Sequence, residues 1–344
     1  MKFGFALASQ RVTNGVRRFD LESLVDECLC AEENGFSIAY TGERRATGIT
    51  SYSHNPLLMS GYGLSRTSRL KFGAGLVVLP LHHPVTVIQD ACTLETFYPG
   101  RFRLVVGAGY ATADFEALGV SMKERGKRME SGLRAIQMFR NGESGPIAEP
   151  YKGIVPIRDE TLRNSSLEVL VGAWTRVGVA RAAKYGDGWM SGPLDTIAAL
   201  EVMAKDYRDD CHQFNKKPYV VILREAWIDK SDSRALETYG PYVLKYHQVY
   251  MERGHKYDEV FDPWIRDVKS SADITLNHVI DGRVICGNSK TWLNNLAELK
   301  ERINPDEVVL RLRHFDGPGH ENVLEAMQML GSEIIPKVGV SKIE

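Results

Sequence analysis

The residues best suited to chemistry in this chain sit in short polar groups that interrupt apolar runs. Glu43-Arg44-Arg45 follows FSIAYTG, Gly107-Ala108-Gly109-Tyr110 follows RFRLVV, and Trp174-Thr175-Arg176-Val177-Gly178 follows LEVLVGA. Arg224-Glu225 lies inside YVVILREAWI, and Arg313-His314 closes DEVVLRLRH. Each group suggests a task. The turn at 174–178 feeds a helix start, so its N–H groups, the helix dipole, the Thr175 hydroxyl and the Arg176 charge suit a phosphate. Arg44 stays protonated at physiological pH, so it can hold an anion but cannot serve as a base. Glu43 and His314 can carry a proton, His314 if it turns inward from its strand end. A solvated basic loop is the competing reading for Arg44 and Arg45.

Other chemistries leave no signal. The nine histidines form no set with carboxylates at metal-ligand spacing, so no metal is expected. No G-x-S-x-G elbow, Walker sequence or Cys–His nucleophile signature occurs. Five cysteines, with no Cys-x-x-Cys among them, favour a reducing cytosol over a disulfide framework. A net charge of -1 gives no electrostatic case for nucleic acid or for an anionic membrane. The opening MKFGFALASQRV is too short for a signal-peptide core, and no run approaches the roughly 18 apolar residues of a membrane span. A cytoplasmic protein is expected. His83, ahead of Pro84, reads as a helix-start packing residue, and His247 between Tyr246 and Tyr250 reads as packing.

Strand and helix patterns alternate from end to end. KFGFALA, FSIAYTGE, LKFGAGLVVLP, RFRLVVGAG, LEVLVGA, DGWMSG, YVVILREAWI and DEVVLRLR read as strands with helical segments between them. No G-x-G-x-x-G follows the first strand, so a (β/α)8 TIM barrel is expected rather than an open doubly wound sheet. One domain, 1–344, would carry rim insertions at about 142–164 and 255–286. In a barrel the catalytic face lies at the carboxyl ends of the strands, where the groups above fall. Strand alternation places Arg311 and Arg313 on one face and His314 on the other.

The stretch from Thr67 to Gly119, with LPLHHP, GRFRLVVGAGY and FEALG, resembles the luciferase-like monooxygenase family. The resemblance covers nearly the whole chain and returns in VARAAKYGDGW and in GNSKTWLNNL … VVLRL … IIP. It implies a flavin-dependent monooxygenase that uses reduced FMN and O2 on a small organic substrate. Reduced flavin would come from a separate reductase, and the protein would be a homodimer. Gly75–Leu76 matches the place of a non-prolyl cis peptide against the flavin ring, where glycine would let the backbone approach a flat ring; a simple β-bulge is the alternative. Gly107, Ala108, Gly109 and Tyr110 match the flavin loop, with Ala108 where luciferases carry a phosphate-binding arginine. The phosphate then falls to Arg128 (or Arg125), or to the turn of Trp174, Thr175, Arg176 and Val177. Glu43-Arg44-Arg45 matches Glu-His-His, so Arg44 replaces a histidine implicated as an acid/base; it could instead hold an anionic oxygen or the reduced flavin ring. A deazaflavin-dependent hydride-transferring oxidoreductase and a non-catalytic flavin-binding protein remain the alternatives. Tyr151, Tyr257, Phe261 and Trp264 in the insertions suggest an organic substrate of some bulk.

Overall fold

Runs rich in Val, Ile, Leu and Phe form short strands buried on both faces, which a parallel sheet covered by helices requires. Every residue of Ile38–Thr41, Phe102–Gly107 and Glu307–Arg311 is buried. The computed structural model describes residues 1–8, 10–13, 16–46, 53–158, 160–162, 166–314 and 316–338. Part of the polar loop after the second expected strand (47–52) and part of the first insertion (159 and 163–164) lie outside them. The strand–helix alternation is that of a (β/α)8 barrel, and the chain divides into two compact units.

One unit comprises Ile38–Met190 with Asp206–Tyr219. Its parallel strands lie in the order Ile38–Thr41, Lys71–Val78, Phe102–Gly107, Glu168–Gly172 and Gly188–Met190. Helices Pro56–Arg66, Pro84–Phe97, Arg125–Arg140 and Arg176–Tyr185 connect them. Two of these helices carry proline in the first turn, where a missing N–H costs nothing. Asn55 caps the first of them on the Leu58 N–H.

The other unit comprises Met1–Ser37, Ser191–Lys205 and Val220–Glu344. Its parallel strands run Lys2–Ala6, Glu307–Arg311, Val220–Ile228 and Val284–Gly287. The 21-residue helix Asp232–Glu252 tolerates Pro241 in its interior. The expected insertion at 255–286 ends in the strand Val284–Gly287, which pairs with the far end of Val220–Ile228. Two other ribbons escaped the sequence pattern: the hairpin of Gln10–Thr13 with Val16–Phe19, and Gly145–Pro146 with Ile154–Val155. Among the described residues no helix is long and apolar enough to cross a membrane.

Candidate functional site

Glu43 follows the strand Ile38–Thr41 and is buried at 5% exposure. Its backbone N–H donates to the Leu76 carbonyl at 3.2 Å, and its carboxylate accepts from the Val78 N–H at 2.7 Å. The same carboxylate meets Arg45 Nε at 2.5 Å and His82 Nε2 at 2.8 and 3.0 Å. Burial works against the charge, but the His82 hydrogen bond, the Val78 N–H and Arg45 outweigh it and hold the carboxyl below its usual range. Glu43 is therefore an ionised acceptor clamped to the strand Lys71–Val78.

Arg44 is neither a solvated loop residue nor a bare cation. It is buried at 6%, with Nη1 donating to Asp114 Oδ2 at 2.9 Å and Nη2 to the Tyr110 hydroxyl at 2.8 Å. The other Asp114 oxygen accepts the N–H groups of Arg45 and Ala46 at 3.0 and 2.8 Å. Asp114 thus neutralises Arg44 and pins the loop after the strand. Tyr110 packs against Trp174, ring centroids 5.2 Å apart, while the Arg44 guanidinium lies 4.9 Å from the Tyr110 ring centre. The groups at 43–45, 107–110 and 174–178 are brought together, apart only in sequence.

The Gly75–Leu76 peptide is cis, and the register with Phe102–Gly107 also shifts between Gly75 and Val77. Glycine here also has a packing reason on the neighbouring strand. A Cβ on Gly75 would sit 2.6 Å from the Tyr40 ring, and one on Gly73 would sit 2.2 Å from it. Tyr40, whose hydroxyl accepts from Arg103 at 2.7 Å, is the ring that the missing Cβ of each glycine clears. Gly107 and Gly172 in turn make room for the Leu76 side chain, which would lie 2.8 and 2.7 Å from a Cβ there.

For an anion, the arginines are more committed than the sequence suggested. Arg176 forms a bidentate pair with Asp210 at 2.6 and 2.8 Å, so its fork is engaged. Arg128 donates from Nε to the Pro80 carbonyl at 2.6 Å and lies over Tyr151. Arg125 reaches the Gly109 carbonyl at 3.2 Å. The backbone of the turn is better placed. Thr175 is an extended N-cap whose hydroxyl accepts the Gly178 N–H, and the first intrahelical bond is Val179 N–H to the Thr175 carbonyl. The N–H groups of Arg176 and Val177 precede that bond at an exposed helix end.

The second constellation lies wholly in the other unit. His314 is buried, and its Nε2 lies 3.0 Å from Glu225 Oε2. Tyr239 donates to the same oxygen at 2.7 Å and also to the Arg311 carbonyl, while Arg311 Nη1 meets Glu225 Oε1 at 2.8 Å. Burial opposes charge on Glu225, yet Arg311, His314 and Tyr239 hold its carboxyl at about 2. Burial, reinforced by Glu225, pushes the Tyr239 hydroxyl well above its ordinary value. The expected alternation fails here. Arg311 and His314 converge on Glu225, whereas Arg313 pairs with Glu27 at 3.3 Å, because the strand ends at Arg311 and the two-residue period ends with it. Arg224 leaves Glu225 for the Asp195 carbonyl at 2.6 Å; burial brings its guanidinium down to about 9 and the Asp195 carboxyl up to about 6.

The sequence pattern singles out neither Asp114 nor Tyr239, places His82 only ahead of the helix start at Pro84, and leaves Glu225 without a role. The available signal was charge inside apolar runs, since a buried charge must find a partner. His83 sits at the start of Pro84–Phe97 with Nε2 near the Lys152 carbonyl, and His247 packs with Tyr257, its Nδ1 2.7 Å from the hydroxyl. Among the described residues no cluster of three or more His, Cys, Asp or Glu is placed to hold a metal ion.

The chain belongs to the luciferase-like monooxygenase family, whose profile matches residues 1–303. It is an oxidoreductase of that family. The oxygenase component of the flavin-dependent trigonelline monooxygenase of Acinetobacter baylyi is 24% identical over 245 residues, 68% of this chain and 67% of that protein. Two solved structures share the (β/α)8 fold. The oxygenating constituent of 3,6-diketocamphane monooxygenase from Pseudomonas putida, solved with FMN, superposes with a TM-score of 0.76 at 16% identity, covering 98% of each chain. The coenzyme F420-dependent tetrahydromethanopterin reductase of Methanopyrus kandleri gives 0.70 at 18% identity, covering 98% of this chain and 99% of that one.

Proposed function

We propose that this protein is an FMN-dependent monooxygenase that uses reduced FMN and O2 to oxygenate a small organic substrate. The observation that carries this reading is the meeting of an aromatic face with an exposed, capped helix N-terminus. Trp174 packs on Tyr110 and leads directly into the capped N-terminus at Thr175, an arrangement suited to a flat ring bearing a phosphate. The residues fit FMN through the N–H groups of Arg176 and Val177 rather than through the Arg176 guanidinium, which Asp210 occupies. Gly75, Leu76, Gly107, Ala108 and Gly109 would border the ring, and Arg128 would stay at the edge as a brace for Pro80 and Tyr151.

When bound, reduced flavin supplies the two electrons that activate O2. The chain's own residues bind, orient and shield. Arg44, compensated by Asp114, orients the Tyr110 hydroxyl; Val78, Leu81 and Phe115 form an apolar cluster against which Leu76, Val120 and Met122 pack. Glu43 and His314 are candidates for proton handling, each in its own cluster. A separate reductase would supply reduced flavin, and a cytoplasmic homodimer is the working assembly.

The test is an oxygen-consumption screen with reduced FMN across sulfonates, long-chain alkanes, cyclic ketones and polycyclic natural-product intermediates. Substrate-dependent uptake with an oxygenated product supports the reading. Hydride transfer to a deazaflavin without oxygen uptake would replace it with the deazaflavin-dependent alternative, and flavin binding without turnover would favour a binding protein.

A further inference from the structure

Position 44 carries an arginine that cannot transfer protons and is spent on Asp114, yet the carboxylate just before it, Glu43, holds a histidine from elsewhere in the chain. His82 ends the short turn Leu79–Leu81 that follows the strand carrying Gly75 and Leu76. Its Nε2 faces both oxygens of Glu43 at 2.8 and 3.0 Å. An ionised carboxylate can only accept, so Nε2 must carry the hydrogen and the neutral ring keeps its lone pair on Nδ1. That nitrogen has no hydrogen-bond partner among the described residues. The side chain is 23% exposed, whereas the Glu43 carboxylate is closed off. A buried acceptor that fixes one nitrogen of a part-exposed ring and leaves the other without a partner suits general acid–base catalysis.

Glu43 is itself held from three sides. The Val78 N–H, Arg45 Nε and His82 all donate to it, and its own N–H bonds the Leu76 carbonyl. The imidazole is thereby tied to the strand segment that borders the proposed ring site. His83, next in sequence, has no such partner: it is exposed and lies near the Lys152 carbonyl.

We propose that His82 is the acid–base residue of the flavin site, exchanging its proton at Nδ1, and that Glu43 is the positioning residue that fixes its tautomer. The role rests on the flavoenzyme reading above. In the uncoupled reaction, reduced flavin gives two electrons to O2, which takes two protons to become hydrogen peroxide. His82 relays one of them: its Nδ1 lone pair takes a proton from solvent, then that Nδ1–H bond breaks as an O–H bond forms on the reduced oxygen, which restores the neutral Nε2–H ring.

Two readouts test this. In flavin-free protein labelled with 15N-histidine, the parent should show His82 as the Nε2–H tautomer, and Glu43→Gln should shift it toward a mixture. In stopped flow with reduced FMN and O2, His82→Gln should slow flavin oxidation by about tenfold or more with reduced-FMN affinity kept within about twofold. His83→Gln should alter neither. An Nδ1–H tautomer in the parent would overturn the positioning by Glu43. An oxidation rate in His82→Gln within about twofold of the parent would overturn the acid–base role. The spectroscopic arm needs no flavin, so its failure is distinct from failure of the FMN reading, which would appear as absent reduced-FMN binding in the parent. Glutamine keeps a donor for Glu43 at a part-exposed position, so the variant is expected to fold.

Discussion

Arg44 and Asp114, 70 positions apart, form a buried ion pair at 2.9 Å whose carboxylate also accepts two N–H groups of the Arg44 loop. Such a pair adds little net stability, but breaking it from one side leaves an uncompensated buried charge. Asp114→Ala should therefore cost about 3–5 kcal/mol in urea unfolding, with two N–H groups losing their acceptor as well. A loss below about 1 kcal/mol would show that Arg44 finds solvent or another acceptor.

The pair also shows what the chain conceals. Strands such as RFRLVV and YVVILREAWI were legible because β-branched runs end at glycine or charge, and the helices because their starts carry proline or a capping side chain. Spacing says nothing about which buried charges meet. Arg311 and Glu225 are 86 positions apart, and Glu43 and His82 are 39 apart. The strand Val284–Gly287 was missed because four residues, VICG, are too few to display a period, and its order comes from the partner strand. Nor does spacing reveal that glycine at 75 clears the Tyr40 ring of the neighbouring strand.

Tyr239 ties Glu225 to the Arg311 carbonyl and stacks on Trp227 at 5.6 Å. Tyr239→Phe keeps the stack and removes both hydrogen bonds. It should cost about 1–3 kcal/mol of stability, measured by thermal or urea unfolding, since buried acceptors lose a donor. An unchanged midpoint would mean that Arg311 and His314 satisfy Glu225 on their own.

Acid should weaken the fold before the carboxylates titrate. Burial, with Arg283 nearby, pulls His247 from 6.5 to about 3, and the same causes pull His255 to about 4. Between those values the unfolded chain binds more protons than the folded one, so stability falls as pH drops below about 6.5. Glu225, at about 2 in the fold against 4.5 in the free chain, adds its loss only at lower pH. His247→Gln should flatten the dependence of the urea midpoint between pH 6.5 and pH 5, by up to about 1.4 kcal/mol per pH unit. An equal slope in variant and parent would show that His247 takes up its proton within the folded state.

If the helix end at Thr175 holds the flavin phosphate, FMN should bind at least about tenfold more tightly than riboflavin, which lacks it. Arg176→Ala should leave that ratio within about twofold, because Asp210 already occupies the guanidinium. Collapse of the ratio in the variant would mean that Arg176 leaves Asp210 for the phosphate.

The choice between flavin and deazaflavin is decided most directly by anaerobic equilibrium titration of the purified protein with reduced FMN and, separately, with reduced coenzyme F420. The FMN-dependent account predicts a Kd for reduced FMN in the low micromolar range or tighter, about −8 kcal/mol, and at least about tenfold weaker binding of the deazaflavin. Tighter binding of the deazaflavin, or no saturable binding of reduced FMN at micromolar concentration, would contradict it.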